Sequence, residues 1–282
     1  MRILVTNDDG YTAQGLGVLV RIMKQFGEVT VIAPKYHQSG MSMAVSMGYK
    51  QIAVKDLGMV DGCRWMYLDG TPASCVKFGI DNVMADAKPD VIMCGINHGS
   101  NAGTAVLYSG TIGAAQEGAV NGIPSIGISL DDLHQQADFS AVEQLFPNLF
   151  RKIYDNVSRE FGVLYNINFP NLPAEKIKGV RIGHQGMVHW EDEFISFDES
   201  IYDHHGITKE QMGILFTPPV EPGEETYMMA GTLTDNEGNR PDADHYLIRD
   251  GFISVAAHNI DMTDYKELER LRGLDIEEDY QL

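Results

Sequence analysis

Close to the start of the chain two carboxylates stand side by side, Asp8 and Asp9, between Asn7 and Gly10. In a crevice, neighbouring acids repel unless a cation joins them. Read alone, Asp-Asp-Gly is equally a turn that caps a helix. Ser39 and Gly40 fall in a second polar stretch, and Asn97, His98 and Gly99 in a third, too glycine-rich and polar to be core. Two carboxylates, a hydroxyl and an amide carbonyl are hard oxygen donors. That set suits Mg²⁺ or Mn²⁺, with Ca²⁺ also compatible, and does not suit a sulfur-ligated metal. Ser109, Gly110 and Thr111 precede small residues at helical spacing, so they stand at a helix N-terminus whose free backbone N–H groups can seat a phosphate. Alone they read as a simple cap, and Asn97 as an Asx turn. A divalent cation beside an anion cradle is the equipment for metal-assisted hydrolysis of a phosphoester. Asp8 or Asp9 is then the group to orient or deprotonate the attacking water, Asp8 being preferred. His98, beside Asn97, and His37, beside Ser39, are further candidates for touching the substrate phosphate.

These residues do chemistry together only if the chain brings them to one place. Ile3, Leu4 and Val5 form a short β-prone run that Asn7 to Gly10 stops, and Leu16, Leu19, Val20, Met23 and Phe26 follow at helical spacing. Residues 29–33 (VTVIA), 64–68 (RWMYL), 91–94, 124–130 (PSIGISL) and 162–169 (GVLYNINF) read as further strands. Helices are expected after Pro72, after Ser109 or Thr111, and over residues 139–157, where Pro147 predicts a kink or a break. Strands alternating with helices across short links predict a parallel, doubly wound sheet over residues 1–178. Such sheets bind ligands outside the carboxyl ends of their strands, where Asp8, Asp9, Ser39 and Asn97 would all lie. The pattern then changes. Residues 179–250 read as an irregular β-rich extension with hairpins and no clean helix. Residues 251–282 hold one more apolar strand, 251–257, free to return to the main sheet, and a charged helix over 265–274 with Leu268 and Leu271 on one side.

The chain has 282 residues, 44% hydrophobic and 22% charged, as an ordinary globular protein does. Its formal charge of −19 does not invite a polynucleotide backbone. Met1 runs straight into a core strand, without a basic or apolar leader, and no apolar run approaches the ~18 residues of a membrane span. Cys63, Cys75 and Cys94 lack metal or disulfide spacing and read as buried, reduced thiols. A cytoplasmic protein is the expectation.

Several stretches resemble, in order, the blocks of the SurE survival-protein family of nucleoside-monophosphate phosphatases: ILVTNDDGYTAQGL, the loop around Gln38-Ser39-Gly40, Asp69-Gly70-Thr71-Pro72, CGINHGSNAG and YSGTIGAAQEGA. Residues 251–255 are similar to its C-terminal block. The strong blocks span residues 3–130. The resemblance implies an α/β protein with a Rossmann-like three-layer αβα sandwich, one divalent ion per subunit held by Asp8, Asp9, Ser39 and Asn97, and a phosphate near Ser109, Gly110 and Thr111. Gly40 and Asn97 are counted among the phosphate contacts. It further implies hydrolysis of nucleoside 5′- and 3′-monophosphates, action by some members on short polyphosphate, and assembly as homodimers or homotetramers partly through exchanged C-terminal elements. Residues 179–250 are the expected oligomerisation arm. The sequence departs from the family at Asn101-Ala102-Gly103-Thr104-Ala105-Val106 and at Ser254-Val255-Ala256-Ala257-His258, and residues 234–246 look expanded.

Other chemistries fit less well. A haloacid-dehalogenase site needs two aspartates separated by one residue, and these are adjacent. Gly15-Leu16-Gly17 superficially suggests a dinucleotide fingerprint, but it lies inside a helical pattern, lacks the third glycine and follows two acids. A non-catalytic metal- or nucleotide-binding stress protein would keep the crevice without turnover. A short-chain polyphosphatase would use the same site on another substrate.

Overall fold

The structure, a computed structural model, describes residues 1–48, 51–134, 136–200, 209 and 219–274. Its centre is the strand β1 (Arg2–Thr6), in which Ile3, Leu4 and Val5 are fully buried. A strand covered on both faces has no need of alternation, which is why this run is apolar throughout. Around it stand β2 (Glu28–Pro34), β3 (Val54–Val60), β4 (Cys63–Leu68), β5 (Val91–His98), β6 (Ser125–Leu130) and β7 (Val163–Phe169). Among the described residues they join β8 (Val180–Gly183) and β13 (Ile253–Asn259) in a nine-stranded sheet, in the order β3-β4-β2-β1-β5-β6-β7-β13-β8. The run from β4 to β7 is parallel. The outer strand β3 pairs antiparallel with β4, and β13 returns antiparallel to β7, carrying β8 parallel to itself.

Helices cover both faces. The helices α1 (Gln14–Met23) and α4 (Ser140–Tyr154) close one side over Ile3, Val5, Val31, Met93, Ile126 and Ile167. On the other, α2 (Pro72–Phe78) and α3 (Gly110–Val120) pack over Leu4, Ile32, Ile92 and Leu164. This is the expected mostly parallel αβα sandwich. Ala114, Ala115 and Ala119 of α3 are buried, and a Cβ on Gly118 would lie 2.1 Å from Ser125 Oγ, so its small residues let the helix lie flush on the sheet. Gly15 acts likewise on α1: a Cβ there would lie 2.1 Å from the Ile96 carbonyl. The glycine that suggested a dinucleotide fingerprint serves helix–strand packing.

Four features differ from the sequence reading. The strand β5 does not stop at Cys94 but runs on to His98, so that Gly95, Ile96 and Asn97 are buried strand and not loop. The edge strand β3 was not expected, because all but one of its residues are exposed and neither face shows a pattern. Asp61 and Gly62, at φ +49° and +79°, turn it into β4 as a tight hairpin turn requires, and that Asp-Gly pair is the signal that identifies it. The helix α4 is not broken at Pro147. Phe146 and Phe150 on its buried face are packed against Phe169 and Phe26, and tertiary packing holds the helix where propensity opposes it. The stretch before β13 is not free of helix: α5 (Asp244–Arg249) buries Asp244, Leu247 and Ile248.

Beyond β7 lie two small antiparallel pairs, β9 (Val188–Glu191) with β12 (Thr232–Asp235), and β10 (Phe194–Ser196) with β11 (Tyr227–Met229). The last helix described, α6 (Tyr265–Arg272), buries none of its residues. Among the described residues no helix is long and apolar enough to cross a membrane. All three cysteines are free and buried.

Candidate active site

Parallel register fixes where the loops emerge. Thr6 pairs with Cys94 across β1 and β5, so Asp8 and Asp9 leave the sheet beside Asn97. Val5 pairs with Val31, which sets the end of β2 alongside; the Tyr11 N–H donates to the Pro34 carbonyl (2.9 Å) and the Gln38 N–H to the Asp8 carbonyl (2.7 Å). The loop that carries Ser39 is thereby tied to the backbone of Asp8.

The helix α3 completes the arrangement. Ser109 is its N-cap, its hydroxyl accepting from the Ile112 N–H at 3.1 Å. Gly110 packs directly on Asp8: a Cβ there would lie 2.9 Å from both the Asp8 Cβ and Oδ2 and 3.1 Å from the Gln38 carbonyl. Thr111, fully buried, donates its hydroxyl to Asp8 Oδ1 at 2.6 Å. The Ser39 loop is also sewn to this end of the helix. The Ser42 N–H and hydroxyl donate to the carbonyls of Tyr108 (2.9 Å) and Leu107 (2.8 Å), and a Cβ on Gly113 would lie 2.0 Å from the Ser42 carbonyl.

The structure therefore brings Asp8, Gly110 and Thr111 into direct contact, with Ser109 capping the same helix end. Ser39 and Gly40 are exposed, one and two residues beyond the tie between Gln38 and Asp8. Asn97 is buried and donates its side-chain N–H to the Gly99 carbonyl (2.9 Å), which leaves its carbonyl oxygen as the end available to a ligand. Asp9 lies between two imidazoles, with His98 Nδ1 at 3.1 Å from Oδ2 and His37 Nδ1 at 3.5 Å from Oδ1. His98 Nε2 is buried and, among the described residues, unpartnered, and its ring stands edge-on to Phe139. Both histidines serve the carboxylate in this arrangement.

The electrostatics are lopsided. Burial, and then the charge of Asp9, push the Asp8 carboxyl up to about 7 against the pull of its Thr111 hydrogen bonds. Among the described residues no lysine or arginine ion-pairs with either carboxylate, and Asn7 Oδ1 is buried beside them without a partner. Closely placed acids without a lysine or arginine partner, beside a buried amide oxygen, are what a hard divalent cation fits. The residues present fit such an ion. No cluster of three or more histidine, cysteine or acidic side chains forms a metal cage among the described residues, so serine and amide oxygens have to complete any site here.

Two supports were not visible in the sequence. Thr111 holds Asp8 across 103 positions. The loop from β5 to α3 hangs on Asn101, whose amide reaches Ser129 Oγ (2.8 Å), whose N–H reaches Asn168 Oδ1 (2.8 Å) and whose carbonyl accepts from Asn166 (2.9 Å). Asparagines alternating in β7 are the one sequence trace of that seam.

Fold and site together define a class: a three-layer αβα protein with two adjacent carboxylates at the carboxyl edge of its parallel sheet, backed by a helix N-terminus. The family model described as Survival protein SurE matches residues 3–192, and the chain belongs to that family. A protein named 5′-nucleotidase SurE from Cytophaga hutchinsonii is 35% identical over 95% of this chain and 95% of its own length. One of the same name from Bacteroides fragilis is 32% identical over 97% of each. A crystal structure of SurE protein from Aquifex aeolicus aligns with a TM-score of 0.74 at 26% identity, covering 97% of this chain and 99% of that one.

Proposed function

We propose that this protein is a metal-dependent phosphomonoesterase that hydrolyses nucleoside 5′-monophosphates, and 3′-monophosphates at the same site, to nucleoside and phosphate. The observation that carries the reading is the contact between Asp8 and the first turn of α3: one helix end meets both the carboxylate and the place where an anion would sit. Membership of the family, and relatives named 5′-nucleotidase SurE, support the substrate class.

Asp8, Asp9, Ser39 and Asn97 would hold one divalent ion, Mg²⁺ or Mn²⁺. When bound, it supplies Lewis acidity toward the phosphoryl oxygen and lowers the pKa of water. The chain's own residues do the rest. Ser109 shapes the helix end, and the N–H of Gly110, with Gly40 and Asn97, receives the phosphate. Thr111 fixes the carboxylate plane of Asp8, so that Oδ2 is the atom placed to take a proton from the attacking water. His37 and His98 orient Asp9, and His98 would be the imidazole to touch the substrate phosphate.

A second copy of the chain is the proposed partner, as a homodimer or homotetramer. Exposed apolar side chains on β10 and β11 (Phe194, Ile195, Tyr227 and Met229), with Met262 and Tyr265 at the unburied end helix, support association there.

The test is phosphate release from 5′- and 3′-nucleoside monophosphates, tripolyphosphate and p-nitrophenyl phosphate, with Mg²⁺, with Mn²⁺ and with EDTA. Metal-dependent release concentrated in the nucleotides is expected. Release mainly from tripolyphosphate would move the substrate and keep the site; none under any metal would favour the binding-protein reading. Asp8→Asn is expected to abolish turnover with the fold intact, and an active, metal-dependent Asp8→Asn protein would sink the assignment.

A further inference from the structure

The first turn of α3 can seat a phosphate only if the loop before it is held, and that loop has little regular structure of its own. Between Gly99 and Ser109 the chain uses two positive-φ glycines, Gly99 (+94°) and Gly103 (+59°), and a 3₁₀ turn over Gly103–Leu107. The Asn101 seam fixes its beginning. Its middle is fixed by a residue 141 positions away.

Asp244, fully buried at the start of α5, accepts three backbone N–H groups on one oxygen, from Gly103, Gly186 and His245, each at 2.9 Å. Its other oxygen, Oδ2, is buried and unpartnered among the described residues. The next residue along the loop makes a second tie, the Thr104 hydroxyl donating to the Val188 carbonyl at 2.6 Å. Contact is close enough to exclude a side chain: a Cβ on Gly103 would lie 2.7 Å from Val188 Cγ2. Three backbone donors on one buried oxygen satisfy that acceptor and tie three stretches of chain to one point.

We propose that Asp244 is a positioning residue for the substrate phosphate: with Val188 it clamps Gly103 and Thr104, and so sets the Ser109–Gly110 turn against Asp8. The clamp makes the phosphate seat depend on the segment after β8 and on α5, neither of which touches the crevice carboxylates. The proposal rests on the phosphomonoesterase reading for its kinetic consequence, but not for its binding consequence.

The experiment compares wild type, Asp244→Ala, Asp244→Asn and Thr104→Val for kcat and KM on a nucleoside 5′-monophosphate. The same proteins are titrated with inorganic phosphate and, separately, with Mn²⁺ by calorimetry. Asp244→Ala is expected to raise KM and weaken phosphate binding roughly 10- to 100-fold, as a displaced seat does, while Mn²⁺ affinity stays within about twofold. Asp244→Asn, which keeps an acceptor for Gly103 and Gly186, should recover most of the loss. Thr104→Val, which removes one hydrogen bond and no charge, should show a smaller shift of the same kind, and it carries the test if Asp244→Ala does not fold. A folded variant with unchanged KM and phosphate affinity would overturn the clamp, as would equal loss of Mn²⁺ and phosphate binding. A wild type that binds phosphate but releases none from nucleotides would instead overturn the phosphomonoesterase reading, with the clamp still judged by phosphate binding.

Discussion

At Asp8 side-chain chemistry and environment oppose each other. The carboxylate is almost wholly buried next to a second acid, which favours its protonated form, and Thr111 offers a donor that favours the ionised one. The sign of the pH dependence follows. A carboxyl whose folded pKa lies above its unfolded value binds more protons when folded, so this group's contribution to stability falls as pH rises from about 4 to about 7. A divalent cation competes for the same oxygens, so metal binding should reverse the loss. The rise in melting temperature on adding Mn²⁺ is therefore expected to be larger at pH 8 than at pH 5.5, and EDTA should abolish it at both. An equal rise at both pH values would place the ion away from Asp8. Removing the supporting donor gives a second expectation. Thr111→Val should weaken Mn²⁺ binding by about 10- to 100-fold, the usual cost of losing a hydrogen bond to a ligand, and calorimetric titration reads it directly. Of these residues, Asp8, Asp9 and Ser109 stood out because they follow a strand or cap a helix by rules local in sequence; Asn97, read as loop, lies inside β5. The pairing of Thr111 with Asp8 was not, since a hydrogen bond across 103 positions leaves no periodic trace.

Among the elements, α3 bears most on the site. Its glycines read as a run of small residues, and the structure assigns three of them separate tasks: Gly110 admits Asp8, Gly113 admits the Ser42 carbonyl and Gly118 admits Ser125. Gly113→Ala should therefore act on the crevice without touching a proposed ligand. Its methyl would collide with backbone of the Ser39 loop at 2.0 Å, and the loop is freer to move than the helix. Expected are a destabilisation of about 1–3 kcal/mol, typical of overpacking, and a fall in kcat/KM of tenfold or more. Denaturant melts and steady-state rates report the two. Unchanged activity would show that the position of the Ser39 loop does not matter to turnover. The helix α5 and strand β3 escaped sequence reading for related reasons. One is six residues long and the other is almost wholly exposed, so neither carries enough buried positions to establish a period.

For the molecule as a whole, the unburied α6 and the apolar side chains of β10 and β11 expect company. Sedimentation velocity at micromolar concentration should show a species of at least two chains. A truncation after Asn259, which removes α6 and leaves β13 in the sheet, should shift it toward monomer; a dimer that survives truncation would assign the contact to the hairpins. What the amino-acid order determined by itself is the framework. Alternating apolar strands and amphipathic helices dictate a parallel sheet, and polar residues at the strand ends dictate which edge is chemical. Local periodicity and capping suffice for that, because each rule acts within a few residues. Tertiary structure alone decided how the edge is held. Thr111 on Asp8, the Asn101 seam, and Asp244 on Gly103 join segments 28 to 141 positions apart. Each depends on a buried polar group finding its partner in space, where an unmade hydrogen bond is costly and sequence separation counts for nothing.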